Sequence, residues 1–200
     1  MITANQDVTA NHPADVLSGG FDDPTLRSAH AFRAIVEALS RPGRILRLAG
    51  AHPPAPLSIA AGVALLTLAD ATTPVHLAGD LDVPALRDWI AFHCGAPICS
   101  PAEAVFAVGR WDALCPVERF SVGQPDYPDR SATLIVEMTA LSAEGPRLSG
   151  PGVRGDVRLA VPDARVLAAN AALYPLGFDL LLTCEDRLAG LPRSTVLEMT

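Results

Sequence analysis

The chain has 200 residues, a formal net charge of −7, a pI near 5.1 and a mean hydropathy of +0.28, with half its residues apolar but only 5% aromatic. A chain of that length suits one domain burying roughly 70% of its unfolded surface, and the acidic balance excludes the basic stripe that nucleic acid or an anionic membrane surface requires. All fifteen cations are arginine, so no lysine is present to form a Schiff base with a carbonyl or pyridoxal phosphate, or to grip a nucleotide as in a P-loop.

Residues 1–20 are polar and aperiodic, with neither the apolar core nor the basic start of a signal peptide, and are expected to form a mobile tail. Asp22 or Asp23 is placed to cap a helix with Pro24 in its first turn. Leu26, Ala29, Phe32, Val36 and Leu39 then recur at helical spacing, a face expected to lie on the core. The opposite face carries Arg27, His30, Arg33 and Glu37, where Arg33 either pairs with Glu37 at i,i+4 or faces a ligand. Ser40-Arg41-Pro42-Gly43 stops the helix, and RILRLA alternates as a half-buried strand.

From Ile59 to Ala69 the sequence carries no charge, which predicts a helix apolar on every side and buried between layers. Eleven residues are too few for a bilayer, which needs about 20. Asp70, Thr72 and Thr73 follow at a helix-to-strand corner before the strand Pro74 to Leu77. They either satisfy loose backbone groups there or present a carboxylate and hydroxyls to a ligand. Asp82 is expected to cap a helix in which Leu86, Trp89, Ile90 and His93 share a face, with strands to follow around 97–99 and 105–108.

The four cysteines, Cys94, Cys99, Cys115 and Cys184, form no close CxxC pair, which predicts free thiols and a cytoplasmic protein. His93, Cys94 and Cys99 lack a fourth ligand at zinc spacing, so no metal site is expected. The segment SVGQPDYPDRSA reads as a long loop and TLIVEMTAL as a strand; in RLSGPGV, Gly150 and Gly152 form either a tight turn or an anion nest. Asp163 opens a last helix to about Leu173, DLLLTCE is a fully buried strand, and RLAGLPRSTVLE makes a hairpin-like return. The whole indicates a single α/β domain over 21–200, a three-layer α/β/α arrangement with a mixed sheet. So much apolar surface with so few charges predicts a covering partner subunit, hence an oligomer.

Taken in order, FRAIVEALSRPG, LLTLADATTPV, FHCGAP, LSGPGV, YPLGFDLLLTC and LPRSTVLE resemble the PhnH family, the H subunit of the bacterial carbon-phosphorus lyase core complex, from about Phe21 to Glu198. The resemblance implies phosphonate breakdown in an assembly with the G, I and J subunits. The G, H and I subunits are associated with displacing adenine from ATP by methylphosphonate, which gives ribose 1-methylphosphonate 5-triphosphate. It also implies a homodimer with a fold similar to the large domain of pyridoxal-phosphate-dependent transferases, without that cofactor or any other. Cys94 and Ser194 stand where related chains often have threonine, and no catalytic residue carries over from the family. The primary expectation is an assembly subunit. The alternatives are a subunit that contributes substrate-binding or catalytic groups, and an isolated small-molecule-binding dimer. In the contributing role, Arg33, Thr73, Gly150, Gly152 and Arg193 would hold anionic oxygens and Asp70 or His93 would polarise a leaving group.

Overall fold

A computed structural model describes residues 18–198. Of the expected tail, residues 1–17 lie outside the described residues, whereas the Ser18 carbonyl accepts from Trp89 Nε1 at 3.2 Å and the Gly19 carbonyl from His52 N at 2.8 Å. Ser18 and Gly19, expected in that tail, are thus held against the fold.

The first helix, α1 (Pro24–Ser40), starts with Asp23, whose carboxylate accepts from Leu26 N at 3.1 Å. Its buried face is Ala31, Ile35 and Ala38, whereas Leu26, Phe32 and Val36, expected on the core, are 51%, 53% and 47% exposed, and Ala29 is exposed with them. The cause is close approach. A Cβ added to Gly190 on the sheet below would stand 2.7 Å from backbone atoms of Ala38 and Leu39. At Ala38 only a small side chain allows that approach, with Ile35 filling the core on the same face, and the stripe of Leu26, Phe32 and Val36 turns outward. Arg33 stands exposed, and Glu37 pairs with Arg41 and Arg44 in place of the expected Arg33.

After strand β1 (Ile45–Arg47), Ser58 caps α2 (Ile59–Leu68) by accepting from Ala61 N at 3.2 Å. Every residue from Ala60 to Leu65 is buried, as the charge-free run predicts. Strand β2 (Val75–Leu77) and helix α3 (Pro84–His93) follow; Asp82 does not cap α3 but accepts from Arg87 Nε and Nη2 at 2.5 and 2.8 Å, leaving Val83 at the cap position. The strand expected around 97–99 is reduced to one isolated bridge between Val75 and Ile98. Then come β3 (Phe106–Arg110) and the single-turn α4 (Trp111–Leu114).

The segment expected as a long loop is instead the hairpin β4 (Val122–Gln124) and β5 (Tyr127–Ser131). Its strands cross so closely that a Cβ on Gly123, whose φ is +84°, would meet the Pro128 carbonyl oxygen at 2.7 Å. The chain continues through β6 (Thr133–Glu137), β7 (Arg147–Ser149), β8 (Val157–Arg158), α5 (Ala164–Ala171), β9 (Asp179–Cys184), β10 (Arg187–Leu191) and β11 (Val196–Glu198). Asp163 caps α5 through Arg165 N and Val166 N. The hairpin return is β9 to β10, while β11 leaves it to pair with β7.

The main sheet has six strands in the order β1-β10-β9-β6-β3-β2, parallel from β2 through β9 and antiparallel at β10 and β1. Successive residues of β6 and β9 divide between two cores: Ile135 and Leu181 join the face packed by α1, α2 and α3. Leu134, Val136, Leu180 and Leu182 join the other, covered by α4, α5 and the small β11-β7-β8 sheet. The fold is thus mixed α/β, with one fully helical layer and a second layer part helix and part sheet. Strands buried on both faces read as continuous apolar runs, which is why DLLLTC is so uniform. Among the described residues no helix is long and apolar enough to cross a membrane.

Candidate functional site

The end of α1 supplies the most distinctive surface feature. Ser40 to Arg44 turn back beneath the loop 150–155, and together with Arg154 and Val157 they line a cleft of about 510 Å³. Two glycines bring these segments into contact. A Cβ on Gly152 would lie 2.1 Å from the Ser40 carbonyl oxygen, and one on Gly43 would lie 2.2 Å from Val157 Cγ1, both at positive φ. Close approach of the two loops thus places Arg41, Arg44 and Arg154 around one concavity.

Arg44 and Arg41 share a single carboxylate: Glu37 pairs with Arg44 and lies 3.6 Å from Arg41 Nη1. Among the described residues Arg154 has neither a carboxylate within ion-pair distance nor a hydrogen-bond acceptor. The carbonyl end of α1 offsets part of the positive potential, yet three guanidiniums against one carboxylate leave the cleft cationic on a chain of net charge −7. Two arginine-glycine motifs, SRPGR and GPGVR, are visible in the sequence. Their distance in the chain hides their meeting, so sequence reading found only Gly152. Gly150, at φ +113°, packs against the Ser194 carbonyl instead and turns the chain with Val153 N donating to its own carbonyl at 3.2 Å.

Asp70 and Thr73 belong to a closed turn. Asp70 Oδ1 accepts from Thr72 N at 2.8 Å, Thr72 Oγ1 at 2.7 Å and Thr73 Oγ1 at 3.3 Å, while Thr73 Oγ1 accepts from Asp70 N at 2.6 Å. The Thr72 hydroxyl and amide hold the Asp70 carboxyl below its ordinary range, so it is an ionised acceptor at neutral pH. His93 sits at the end of α3, its ring 5.1 Å from that of Trp89 and 4.9 Å from that of Phe92, with Nε2 3.2 Å from the Ser18 carbonyl. The neighbouring Cys94 thiol is pushed up to about 11 by burial and stays protonated. The Asp70 turn and the α3 terminus are neighbours, since a Cβ on Gly95 would lie 4.0 Å from that of Ala71. No hydrogen bond joins Asp70 to His93 among the described residues.

Arg193 is engaged on every side. Its Nε and Nη2 fork onto Asp179 at 3.1 and 2.6 Å, Nη1 donates to the Pro128 carbonyl at 2.8 Å, and Nη2 also donates to Ser131 Oγ. It thereby ties β9 to the β5 hairpin strand beside a shallow hollow of about 340 Å³. Arg33, exposed on α1, and Arg193 do not line the arginine cleft.

Sequence reading also missed Glu137, at the carboxyl end of the central strand β6. It is half-buried and accepts from Ser58 N at 2.8 Å at the start of α2, and desolvation raises its pKa. In TLIVEMTAL it looks like an outward polar residue of an alternating strand; only the meeting of β6 with the α2 terminus identifies it. Among the described residues, no group of three or more His, Cys, Asp or Glu side chains gathers where a metal ion could be held.

A family model described as bacterial phosphonate metabolism protein (PhnH) matches residues 19–198. The chain is 40% identical over 194 residues, 92% of this chain and 97% of the relative, to the alpha-D-ribose 1-methylphosphonate 5-triphosphate synthase subunit PhnH of Rhizobium meliloti (strain 1021). It is 28% identical over 184 residues, 86% of this chain and 87% of the relative, to the putative C-P lyase subunit protein HtxG of Stutzerimonas stutzeri.

Proposed function

Because the chain belongs to the PhnH family of bacterial phosphonate metabolism proteins, we propose that it is a subunit of an alpha-D-ribose 1-methylphosphonate 5-triphosphate synthase, acting in the carbon-phosphorus lyase route of phosphonate breakdown. The observation that carries this reading is correspondence over 92% of this chain and 97% of a relative bearing that name, rather than one shared motif. Its proposed partners are the other subunits of the complex, G, I and J, in the cytoplasm.

Within that assembly its role is structural. Asp70, Thr73 and Arg193 spend their polar groups on one another or on the fold, which supports a subunit that is not itself catalytic. The exposed apolar stripe of α1 supports a homodimer, since Leu26, Phe32 and Val36 would be covered by a second copy. We read 21–200 as one domain, supported by the single main sheet running from β1 to β10. A kinship with the large domain of pyridoxal-phosphate-dependent transferases fits the mixed sheet, and a chain without lysine could not form that cofactor's aldimine. The second reading, a subunit that also holds part of the substrate, is favoured by the arginine cleft. The overall proposal is tested by deleting the gene in its host and supplying methylphosphonate as the phosphorus source. Growth should fail and return with the plasmid-borne gene; growth unaffected by the deletion would refute the assignment.

A further inference from the structure

We propose that the cleft between the end of α1 and the loop 150–155 binds a polyanionic phosphate group, a di- or triphosphate, through Arg41, Arg44 and Arg154. Guanidiniums are always charged and present planar forks that match phosphate oxygens. Here three of them, from two segments, converge on one concavity of about 510 Å³, larger than one phosphate fills. Glu37 is the one carboxylate paired with any of them, and it serves both Arg41 and Arg44.

Arg154 separates a ligand site from a structural network. Arg27, Arg47, Arg87, Arg110, Arg147 and Arg158 each have a carboxylate partner, whereas the side chains of Arg33, Arg154 and Arg165 have no ion pair or hydrogen bond among the described residues, and of these three Arg154 alone lines this cleft. Arg154, two residues past the glycine-proline-glycine turn, has none among the described residues, and Asp156 nearby is engaged by Arg147 and Arg158. The concavity itself depends on glycine at 43 and 152, where any side chain would drive the two walls apart. A cleft that keeps its depth and leaves one cation unpaired suits a small anion with several charges better than a flat protein surface.

The proposal is independent of the assembly reading, and its test uses the isolated full chain. Inorganic tripolyphosphate is titrated calorimetrically at about 100 mM NaCl, with inorganic phosphate and citrate as comparison anions. Saturable one-site binding is expected, tightest for tripolyphosphate and weaker as salt rises. Arg154→Gln, which breaks no ion pair of the fold, should weaken it at least about tenfold. Arg154→Lys should recover part of that loss, and Arg110→Gln, on β3 four strands away from β1 in the sheet, should change nothing. Thermal melting of each variant confirms folding. Absence of saturable binding, citrate binding as tightly as tripolyphosphate, or an Arg154→Gln variant binding like the parent would each overturn the proposal. None of these results bears on assembly with other subunits, so failure here leaves that reading intact.

Discussion

Arg193→Ala measures whether this arginine belongs to the fold or to a ligand. In the structure its side chain is only 13% exposed and that of Asp179 27%, so truncation leaves a largely desolvated carboxylate. Breaking one partner out of a buried pair costs about 3–5 kcal/mol. Here Asp179 keeps the Arg193 backbone N–H at 2.8 Å and some water, which lowers the expected cost to about 2–4 kcal/mol. The Pro128 carbonyl and Ser131 Oγ also lose a donor. For a domain of this size each kcal/mol shifts the midpoint by about 2–4 °C, so Tm should fall by roughly 5–15 °C. Thermal melting followed by circular dichroism, with Asp179→Ala and the double variant completing a cycle, should give a coupling of about 1–3 kcal/mol. A Tm within about 2 °C of the parent, or additive losses, would show that the ion pair contributes little to the fold and would return Arg193 to the list of ligand-facing residues.

Glu137 gives a pH test. Because its folded pKa is raised, the unfolded chain releases this proton first as pH climbs from about 4.5, so the residue costs stability increasingly until the folded pKa is passed. Glu137→Gln, which keeps an acceptor for Ser58 N, should match the parent in stability near pH 4 and exceed it at pH 7; a variant less stable at pH 7 would contradict the desolvation argument. Glu137→Ala removes the acceptor at the start of α2 and should cost about 1–3 kcal/mol in chemical denaturation. On the outer face of α1, a Phe32→Glu, Val36→Glu double variant should dissociate the proposed dimer. Each buried side chain of this kind contributes about 1.5–3 kcal/mol, so association should weaken at least about 100-fold by sedimentation analysis; an unchanged dimer would place the interface elsewhere.

What the sequence reveals depends on how local the cause is. Helix α2 is legible because the absence of charge from Ile59 to Ala69 leaves burial as the one outcome. The Asp23 and Asp163 caps, and the uniform β9, follow from chemistry within a few residues. The face of α1 is not legible: Leu26, Phe32 and Val36 form the more evident apolar stripe, and only the close approach of Gly190 to the backbone at Ala38 turns the Ala31, Ile35 and Ala38 side inward. The β4-β5 hairpin is hidden because Pro, Asp and Gly in SVGQPDYPDRSA signal turns, while the pairing depends on a bulge at Gly123. Likewise the cleft needs Arg44 and Arg154, over one hundred residues apart in the chain, to meet.

The measurement closest to the central claim is the mass of what forms when this chain is expressed together with the remaining synthase subunits. One species is predicted, stable through size exclusion and native mass spectrometry, that contains this chain in fixed stoichiometry. A chain that elutes alone beside an assembled remainder would contradict it.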